Sequence, residues 1–314
     1  MSKLAETVPK VDDEKARATD VRTYYEELTS EYLRYGGDLG WHYGVWEGGV
    51  RTHEDSLERA NARLIDGLGL TERSRVLDVG CGMGDFARWC AREVGCAVTG
   101  LSISPAHVER ATGIAMREGL AGRCRFLTMD LNDVTLPNAS FDLVVNQESL
   151  CYAIDVRAYL GTVFRVLAAG GVWSAIALSR VKDLVDPVAV EQYEATLAGF
   201  HIPRLVPAED IGACLADAGF VERRCADLTR LLAPGARNII ARSRLALELR
   251  DIGLDWVLFP GGTSAYENHR GHFAAGDAYS RGLLSGWARQ MQYRHRHHFE
   301  LLNPPRGQGP EVCH

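Results

Sequence analysis

The sequence predicts a doubly wound α/β fold, in which a mostly parallel sheet carries helices on both faces. From residue 75 onward, short apolar runs alternate with amphipathic segments of helical spacing, the pattern of repeated βαβ units. One apolar run leads directly into Gly80-Cys81-Gly82-Met83-Gly84 and then into a helical segment. Glycines allow positive φ and the first helical amides stay unpaired, so this turn forms a cradle for a nucleotide-like ligand.

The central part of the chain divides into strands and helices in regular alternation. The predicted strands are Arg75–Val79, Ala97–Leu101, Cys124–Thr128, Phe141–Asn146 and Gly171–Ala177. The predicted helices are Asp85–Val94, Pro105–Glu118 and Val156–Val166, and residues 168–171 form the turn into the fifth strand.

The flanking regions are less regular. Helical spacing predicts helices at Val21–Tyr35 and His53–Leu70, with an aromatic, glycine-rich segment at 36–46 between them. After residue 180 we predict the helices Val188–Ala198, Pro207–Ala218, Ala236–Leu249 and Ala275–Gln292, and strands at Val221–Leu228 and 297–302. This pattern predicts three regions: an N-terminal part (1–70), a ligand-binding core (71–180), and a C-terminal part (181–314) with a helical cap and the last strands.

Composition restricts the partners. The 314 residues carry a formal net charge of −6 and a pI near 5.9, which disfavours a nucleic-acid partner and favours a small molecule. No apolar run approaches the roughly 20 residues of a membrane helix, and the N-terminus lacks a signal-peptide pattern, so we expect a cytoplasmic protein without membrane contact. The eight cysteines show no metal-binding or disulfide spacing. The N-terminal helix and the late insertion are candidate homo-oligomer surfaces.

The glycine turn, with Asp78 two residues ahead of it, has the spacing G-x-G-x-G and so differs from the dinucleotide fingerprint. It resembles the first signature of class I S-adenosylmethionine (SAM) methyltransferases. The resemblance implies a Rossmann-like, mostly parallel seven-stranded sheet, SAM as the cofactor, and a role for Gly80, Gly82 and Gly84 in holding its aminocarboxypropyl end.

Further segments extend the resemblance. Gly100-Leu101-Ser102-Ile103-Ser104 lacks the usual acidic residue and is similar to the variant of cyclopropane-synthase-like and terpenoid C-methyltransferases, which implies ribose contacts for Leu101, Ser102 and His107. Met129-Asp130-Leu131 resembles the adenine site of the family. An aspartate after a strand is also a common turn or N-cap residue, so both interpretations of Asp130 stand.

The fourth predicted strand ends in Asn146-Gln147-Glu148-Ser149-Leu150, beside the carboxyl edge where open α/β sheets bind ligands. This run most resembles that of geranyl diphosphate C-methyltransferases, which implies that Glu148 is a base or cation stabiliser and that Asn146 contacts the cofactor. Related O- and N-methyltransferases carry a similar run in which the glutamate is structural, so both roles remain open.

Aromatic residues precede the core. Relatives place an aromatic lid over SAM in this region, and aromatic faces attract cations. Packing between a helix and the lid explains the same residues equally well. The candidate substrate-binding residues are Tyr25, Trp41, His42, Tyr43 and Trp46.

The C-terminal region concentrates histidine and arginine. Such a cluster suits a diphosphate or carboxylate, because guanidinium groups match these anions, and His295 with His297 would offer a metal site. A solvated basic edge or a subunit contact is the third and favoured interpretation. The residues are His269, Arg270, His272, Arg281, Arg289, Arg294, His295, Arg296, His297 and His298.

The resemblance predicts a SAM-dependent methyltransferase of natural-product metabolism. We favour C-methylation of a prenyl diphosphate, with Glu148 as the base and Mg²⁺ required only by such a substrate. The alternatives are an O- or N-methyltransferase, and a SAM-binding cyclase or scaffold that transfers no methyl group.

Overall fold

A computed structural model of the chain describes residues 20–29, 33, 40, 42–180, 185–238 and 288–295. Its centre is a seven-stranded sheet of order β3-β2-β1-β4-β5-β7-β6. Strands β1 to β5 pair in parallel, and β7 is antiparallel to both β5 and β6. The strands are β1 (Arg75–Val79), β2 (Ala97–Ser102), β3 (Cys124–Thr128), β4 (Phe141–Gln147), β5 (Leu167–Leu178), β6 (Phe220–Asp227) and β7 (Ala288–His295).

Helices cover both faces of the sheet. They are α1 (20–29), α2 (His53–Ile65), α3 (Asp85–Glu93), α4 (Pro105–Arg117), α5 (Val156–Val166), α6 (Pro187–Phe200), α7 (Ala208–Ala218) and α8 (229–238). One apolar cluster contains side chains of α2, α3 and α4, and the other contains side chains of α5 and α7. The central strands are therefore buried on both faces, which explains their continuous apolar runs. The predicted α/β fold is confirmed.

Capping residues fix where the helices start. Thr52 and Asp55 form a reciprocal capping box at α2, and Ser104 accepts a hydrogen bond from the His107 amide at α4, which also has a proline at its start. Asp155 and Asp186 cap α5 and α6 in the same way. These local signals are why the predicted starts of these four helices agree with the structure to within about a residue or two. The predicted start at Ala236 is wrong, because α8 begins at residue 229.

Helix α2 ends at Ile65, so the predicted continuation to Leu70 is wrong. Gly67 and Gly69 adopt positive φ, which ends the helical backbone. Two glutamines of β7 then bind the last helical carbonyls: Gln290 Nε2 donates to the Arg63 oxygen at 2.7 Å and Gln292 Nε2 donates to the Leu64 oxygen at 3.3 Å. A contact more than 220 residues away in sequence therefore completes this helix end.

The last strand corrects a second prediction. Residues 288–292 lie in β7 and not in a helix that runs to Gln292. Both faces of β7 are buried: Met291 and Tyr293 pack in the core, while Gln290 and Gln292 face α2. Buried glutamines hide the apolar alternation that marks a strand in sequence. The predicted strand at 297–302 lies outside the described residues, as do residues 239–249 of the predicted helix 236–249.

Strand β5 begins four residues earlier than predicted, at Leu167. Gly170 has φ +78°, and the register with β4 shifts between Phe141 and Leu143, so an irregularity within the strand replaces the predicted turn at 168–171. Within the described residues, no helix is long and apolar enough to cross a membrane.

Candidate functional site

A cavity of about 520 Å³ opens at the carboxyl ends of β1 to β4. The glycine turn after β1 and the ends of β2 and β3 form one half of its wall. The end of β4 and Tyr152 form the other half together with Leu197, Ala198, His201, Ile202 and Pro203, at and after the end of α6. Helix α1 adds Asp20, Val21 and Tyr25. Open α/β sheets bind ligands at this edge, so the cavity lies where the fold predicts a site.

The three glycines of the turn serve different purposes. All have positive φ: +81° at Gly80, +52° at Gly82 and +78° at Gly84. A Cβ on Gly80 would lie 2.4 Å from the Ser149 Cβ, and one on Gly84 would lie 2.5 Å from the Phe126 ring, whereas Gly82 has no atom of the described residues within 4 Å. Gly80 and Gly82 line the cavity, while Gly84 sets the close packing of α3.

Two alanine variants separate these roles. We expect Gly80→Ala to lower the free energy of unfolding by about 1–3 kcal/mol, because positive φ and overlap with Ser149 add together. We expect Gly82→Ala, the matched control, to lose less stability and more ligand affinity, because its methyl group enters the cavity. Urea unfolding and calorimetric titration with SAM measure the two effects. Equal stability losses in the two variants would contradict the assignment.

Asp78 lies at the end of β1, buried and facing the cavity. Its Oδ2 has no hydrogen-bond partner among the described residues. Burial raises the pKa of the carboxyl to about 8, and the nearby Asp85 adds to this rise. A buried carboxyl group with an unpaired oxygen is costly, which is typical of a group that a ligand completes.

The residues predicted for the sugar and base line the same half of the cavity. These are Leu101, Ser102, His107, Asp130 and Leu131. The Asp130 Oδ1 also accepts from the Asn132 amide at 2.9 Å, so this carboxylate shapes its turn as well as the wall. The His107 Nε2 lies 2.8 Å from the Thr29 Oγ1, which ties α1 to the cavity, and burial lowers the pKa of His107 to about 4.

Glu148 lies at the end of β4, half-buried in the cavity wall, with φ +53°. Its Oε1 accepts a hydrogen bond from the Tyr43 amide at 3.2 Å. Removal from bulk solvent raises the pKa of the Glu148 carboxyl to about 8. Positive φ is rare outside glycine and is found at functional sites, so this backbone supports a role for Glu148.

Asn146, predicted to contact the cofactor, does not line the cavity. Its Oδ1 accepts hydrogen bonds from the Tyr159 hydroxyl at 2.6 Å and the Trp173 Nε1 at 2.8 Å, so it ties β4 to the core. Neighbouring strand residues point to opposite faces, so Gln147 faces the cavity instead. Gln147 was not predicted from the sequence, because the alternation of side chains along a strand does not say which of two polar neighbours faces a ligand.

The aromatic candidates separate into two groups. Tyr25 and His42 line the cavity, and burial lowers the pKa of His42 to about 4. Tyr43 and Trp46 do not: the Trp46 Nε1 donates to the Tyr43 oxygen at 3.2 Å, which is packing within the segment. Trp41 lies outside the described residues.

Two further residues of the wall, Tyr152 and His201, were not predicted from the sequence. The Tyr25 hydroxyl donates to the Tyr152 hydroxyl at 2.9 Å, and the Tyr152 hydroxyl donates to the Phe200 oxygen at 3.0 Å. His201, at the end of α6, lies 2.7 Å from the Asp20 carboxylate. These contacts join α1 to the end of α6 across the cavity, and only the tertiary fold brings them together.

Acidic side chains outnumber basic ones in the described part of the cavity wall. It contains five carboxyl groups, of Asp20, Asp78, Asp85, Asp130 and Glu148, and no lysine or arginine of the described residues. Arg289, Arg294 and His295 lie on β7, away from the wall, and the His295 ring stacks on Phe164 at 3.8 Å. The other members of the basic cluster, at 269–281 and 296–298, lie outside the described residues. Within the described part of the chain, no group of three side chains suits a metal ion.

Comparison with known proteins agrees with this geometry. Residues 76–171 match a family model described as a methyltransferase domain. The chain is 30% identical to an O-methyltransferase of Pyrenophora dematioidea over 223 residues, which cover 69% of this chain and 81% of that protein. It is 29% identical to the SAM-dependent Diels-Alderase iccD of Talaromyces variabilis, over 81% of this chain and 91% of that protein.

Sterol methyltransferases are also similar. The chain is 31% identical to sterol 24-C-methyltransferase erg-4 of Neurospora crassa over 70% of its own length. It spans 59% of the length of that enzyme. It spans 40% and 41% of the lengths of the sterol 24-C-methyltransferases of Gibberella zeae and Aspergillus fumigatus.

Solved structures share the fold. The [4+2]-cyclase SpnF superposes with a TM-score of 0.71 at 22% identity, over 89% of this chain and 96% of that one. A geranyl diphosphate methyltransferase superposes with a TM-score of 0.68 at 18% identity, over 88% of this chain and 99% of that one.

Proposed function

The chain belongs to the SAM-dependent methyltransferase family, and on that premise we propose that it binds SAM in the cavity and methylates a small, uncharged, largely apolar acceptor. The observation that carries this proposal is the cavity wall, which has five carboxyl groups and no lysine or arginine among the described residues. Such a wall suits a cationic cofactor and disfavours an anionic acceptor.

The residues of the cavity fit SAM. Gly82 leaves open space where any side chain would intrude. The Asp78 Oδ2, which no described residue pairs with, is able to accept a hydrogen bond from a cationic group. In this proposal the glycine turn holds the aminocarboxypropyl end, Leu101 and Ser102 the ribose, and Asp130 with Leu131 the adenine. Bound SAM supplies a methyl group on a positively charged sulfur. A nucleophilic carbon or heteroatom of the acceptor attacks the methyl carbon in line, and the sulfur leaves as a neutral thioether.

Glu148 is the proposed proton acceptor. When one carbon of a carbon–carbon double bond takes the methyl group, the other carbon becomes cationic, and a carbon next to the cationic one loses a proton to restore a double bond. The ionised Glu148 carboxylate takes that proton. The rings of Tyr25 and Tyr152, whose centroids lie 5.7 Å apart, line the same cavity and are able to stabilise the cation with their faces. Similarity to sterol C-methyltransferases supports carbon as the methylated atom.

A prenyl diphosphate, the acceptor favoured by the sequence motifs, has less support. None of the arginines described here lines the cavity, so the described part of the wall offers no guanidinium to a diphosphate. We therefore propose an uncharged alkene, of the sterol or terpenoid class. An O- or N-methyltransferase is the alternative, supported by similarity to the Pyrenophora enzyme; there Glu148 accepts the proton of a hydroxyl or amine.

A second candidate function is ring closure with SAM as a fixed part of the site. The specific observation in its favour is similarity to the Talaromyces Diels-Alderase across 91% of that protein. An apolar wall that orients a folded polyene would suffice for such a reaction, without a proton acceptor.

Product analysis with deuterium-labelled SAM tests these proposals. The acceptor panel contains sterols with a side-chain double bond, phenols, amines, polyenes, and geranyl and farnesyl diphosphates with and without Mg²⁺. We expect label on carbon of an uncharged acceptor. Label only on oxygen or nitrogen supports the alternative, label on a diphosphate overturns the uncharged acceptor, and an unlabelled cyclised polyene supports ring closure.

A further inference from the structure

Gln147 is buried in the cavity wall, and its side chain has no hydrogen-bond partner in the described part of the chain. It is 6% exposed, and neither its Nε2 nor its Oε1 has a hydrogen-bond partner within the described residues. Each buried polar atom that lacks a partner costs about 1–3 kcal/mol. Gln147 adjoins Glu148, so this destabilising pair of amide atoms lies beside the proposed proton acceptor.

The position of Gln147 separates it from the proposed cofactor contacts. The glycine turn, Ser102 and Asp130 follow β1, β2 and β3, which lie on one side of β4 in the sheet. Gln147 ends β4 itself, and the other half of the wall also contains Glu148, Ser149 and Tyr152. The end of α6 and the residues after it add Leu197, Ala198, His201, Ile202 and Pro203. The side chain therefore borders the half that the cofactor contacts leave open.

The chemistry of that half selects the ligand group. Leu197, Ala198, Ile202 and Pro203 give it an apolar surface, beside the polar side chains of Glu148, Tyr152 and His201. Gln147 adds an amide donor and an amide acceptor side by side. A hydroxyl group satisfies both, because its hydrogen binds the amide oxygen and its oxygen accepts from the amide nitrogen. A ketone would satisfy only the donor.

We propose that Gln147 determines acceptor specificity by binding a hydroxyl group on an otherwise apolar acceptor. This inference rests on the proposed function only in calling that ligand the acceptor. Recognition by a buried amide discriminates strongly, because an analogue without the hydroxyl leaves both amide atoms unpaired.

Nuclear magnetic resonance of the side-chain amide tests the proposal without any methyl transfer. The protein is labelled with ¹⁵N at glutamine side chains, and Gln147→Leu identifies the Gln147 signal by its loss. The protein is saturated with S-adenosylhomocysteine and titrated with geraniol or with 2,6-dimethylocta-2,6-diene, a matched hydrocarbon without the hydroxyl. We expect a saturable shift of the Gln147 amide protons with geraniol alone, and weakening of geraniol binding by about tenfold to a hundredfold in Gln147→Leu.

Every other result overturns the proposal. A shift caused by S-adenosylhomocysteine, with no further change on adding geraniol, would make Gln147 a cofactor residue. Equal shifts with the two probes would mean packing alone, and a signal that responds to neither probe would mean no recognition.

We expect Gln147→Leu to fold with a higher melting temperature than the parent, since it removes two unpaired atoms. Absence of methyl transfer would overturn the proposed function and leave a geraniol-dependent shift intact.

Discussion

Glu148→Gln is expected to lower kcat by about 10²–10⁴-fold while SAM affinity stays within about threefold. The amide keeps the shape and accepts the Tyr43 hydrogen bond, but it cannot take a proton. Turnover of an acceptor from the labelled panel gives kcat, and calorimetry gives the SAM affinity. The matched control is Glu109→Gln on the exposed face of α4, which should change neither. Unchanged kcat in Glu148→Gln would mean that the carboxyl group is structural.

The same group predicts the dependence of the rate on pH. Burial raises the pKa of Glu148 to about 8 in the empty cavity, and only the ionised form accepts a proton. The rate should therefore rise with pH, by about tenfold per unit, and level off above the pKa. A bound cation favours the ionised carboxylate, so the inflection in saturating SAM should lie below 8. Glu148→Gln should lack this rise, and a flat profile in the parent would argue against Glu148 as base.

Asp78→Asn is expected to stabilise the empty protein and weaken cofactor binding. The change removes a buried carboxyl group and its repulsion with Asp85, so the free energy of unfolding should rise by about 1–3 kcal/mol at neutral pH. SAM affinity should fall by about tenfold to a hundredfold, because a charge-assisted hydrogen bond is lost. Urea unfolding measures the expected rise in the free energy of unfolding, and calorimetric titration measures the expected fall in SAM affinity.

The pH dependence of stability gives Asp78→Asn a further readout. The folded pKa of Asp78 is about 8 and the unfolded one about 4, so the folded state binds the extra proton between these values. The contribution of Asp78 to stability therefore falls as pH rises from about 4 to 8, and Asp78→Asn should flatten this fall. Asp133→Asn, a control at an exposed carboxylate, should change stability by less than about 0.5 kcal/mol. A loss of stability in Asp78→Asn would contradict the prediction.

Local patterns were sufficient for the core of the sheet. The predicted bounds of β1, β3 and α5 agree with the structure, because apolar runs, capping residues and glycines act over a few residues. The predicted residues Asp78, Gly80, Gly82, Ser102, Asp130 and Glu148 all line one cavity, because the ends of parallel strands meet at one edge.

Predictions failed where a distant contact decides the structure. Strand β7 contains buried glutamines because α2 needs partners for its last carbonyls, which no local pattern shows. The side chain of Asn146 faces the core instead of the cavity, because Tyr159 and Trp173 donate hydrogen bonds to its amide oxygen. The pairing of Tyr25 with Tyr152 depends in the same way on two segments 127 residues apart.

The sequence by itself determined the α/β fold, the glycine turn and the carboxyl groups around it, because these follow from backbone geometry and strand order. Only the tertiary structure decided which neighbours face the cavity, as with Gln147 and Asn146, and which carboxyl groups have raised pKa values. Burial and hydrogen-bond partners decide these properties, and both come from residues far away in the chain.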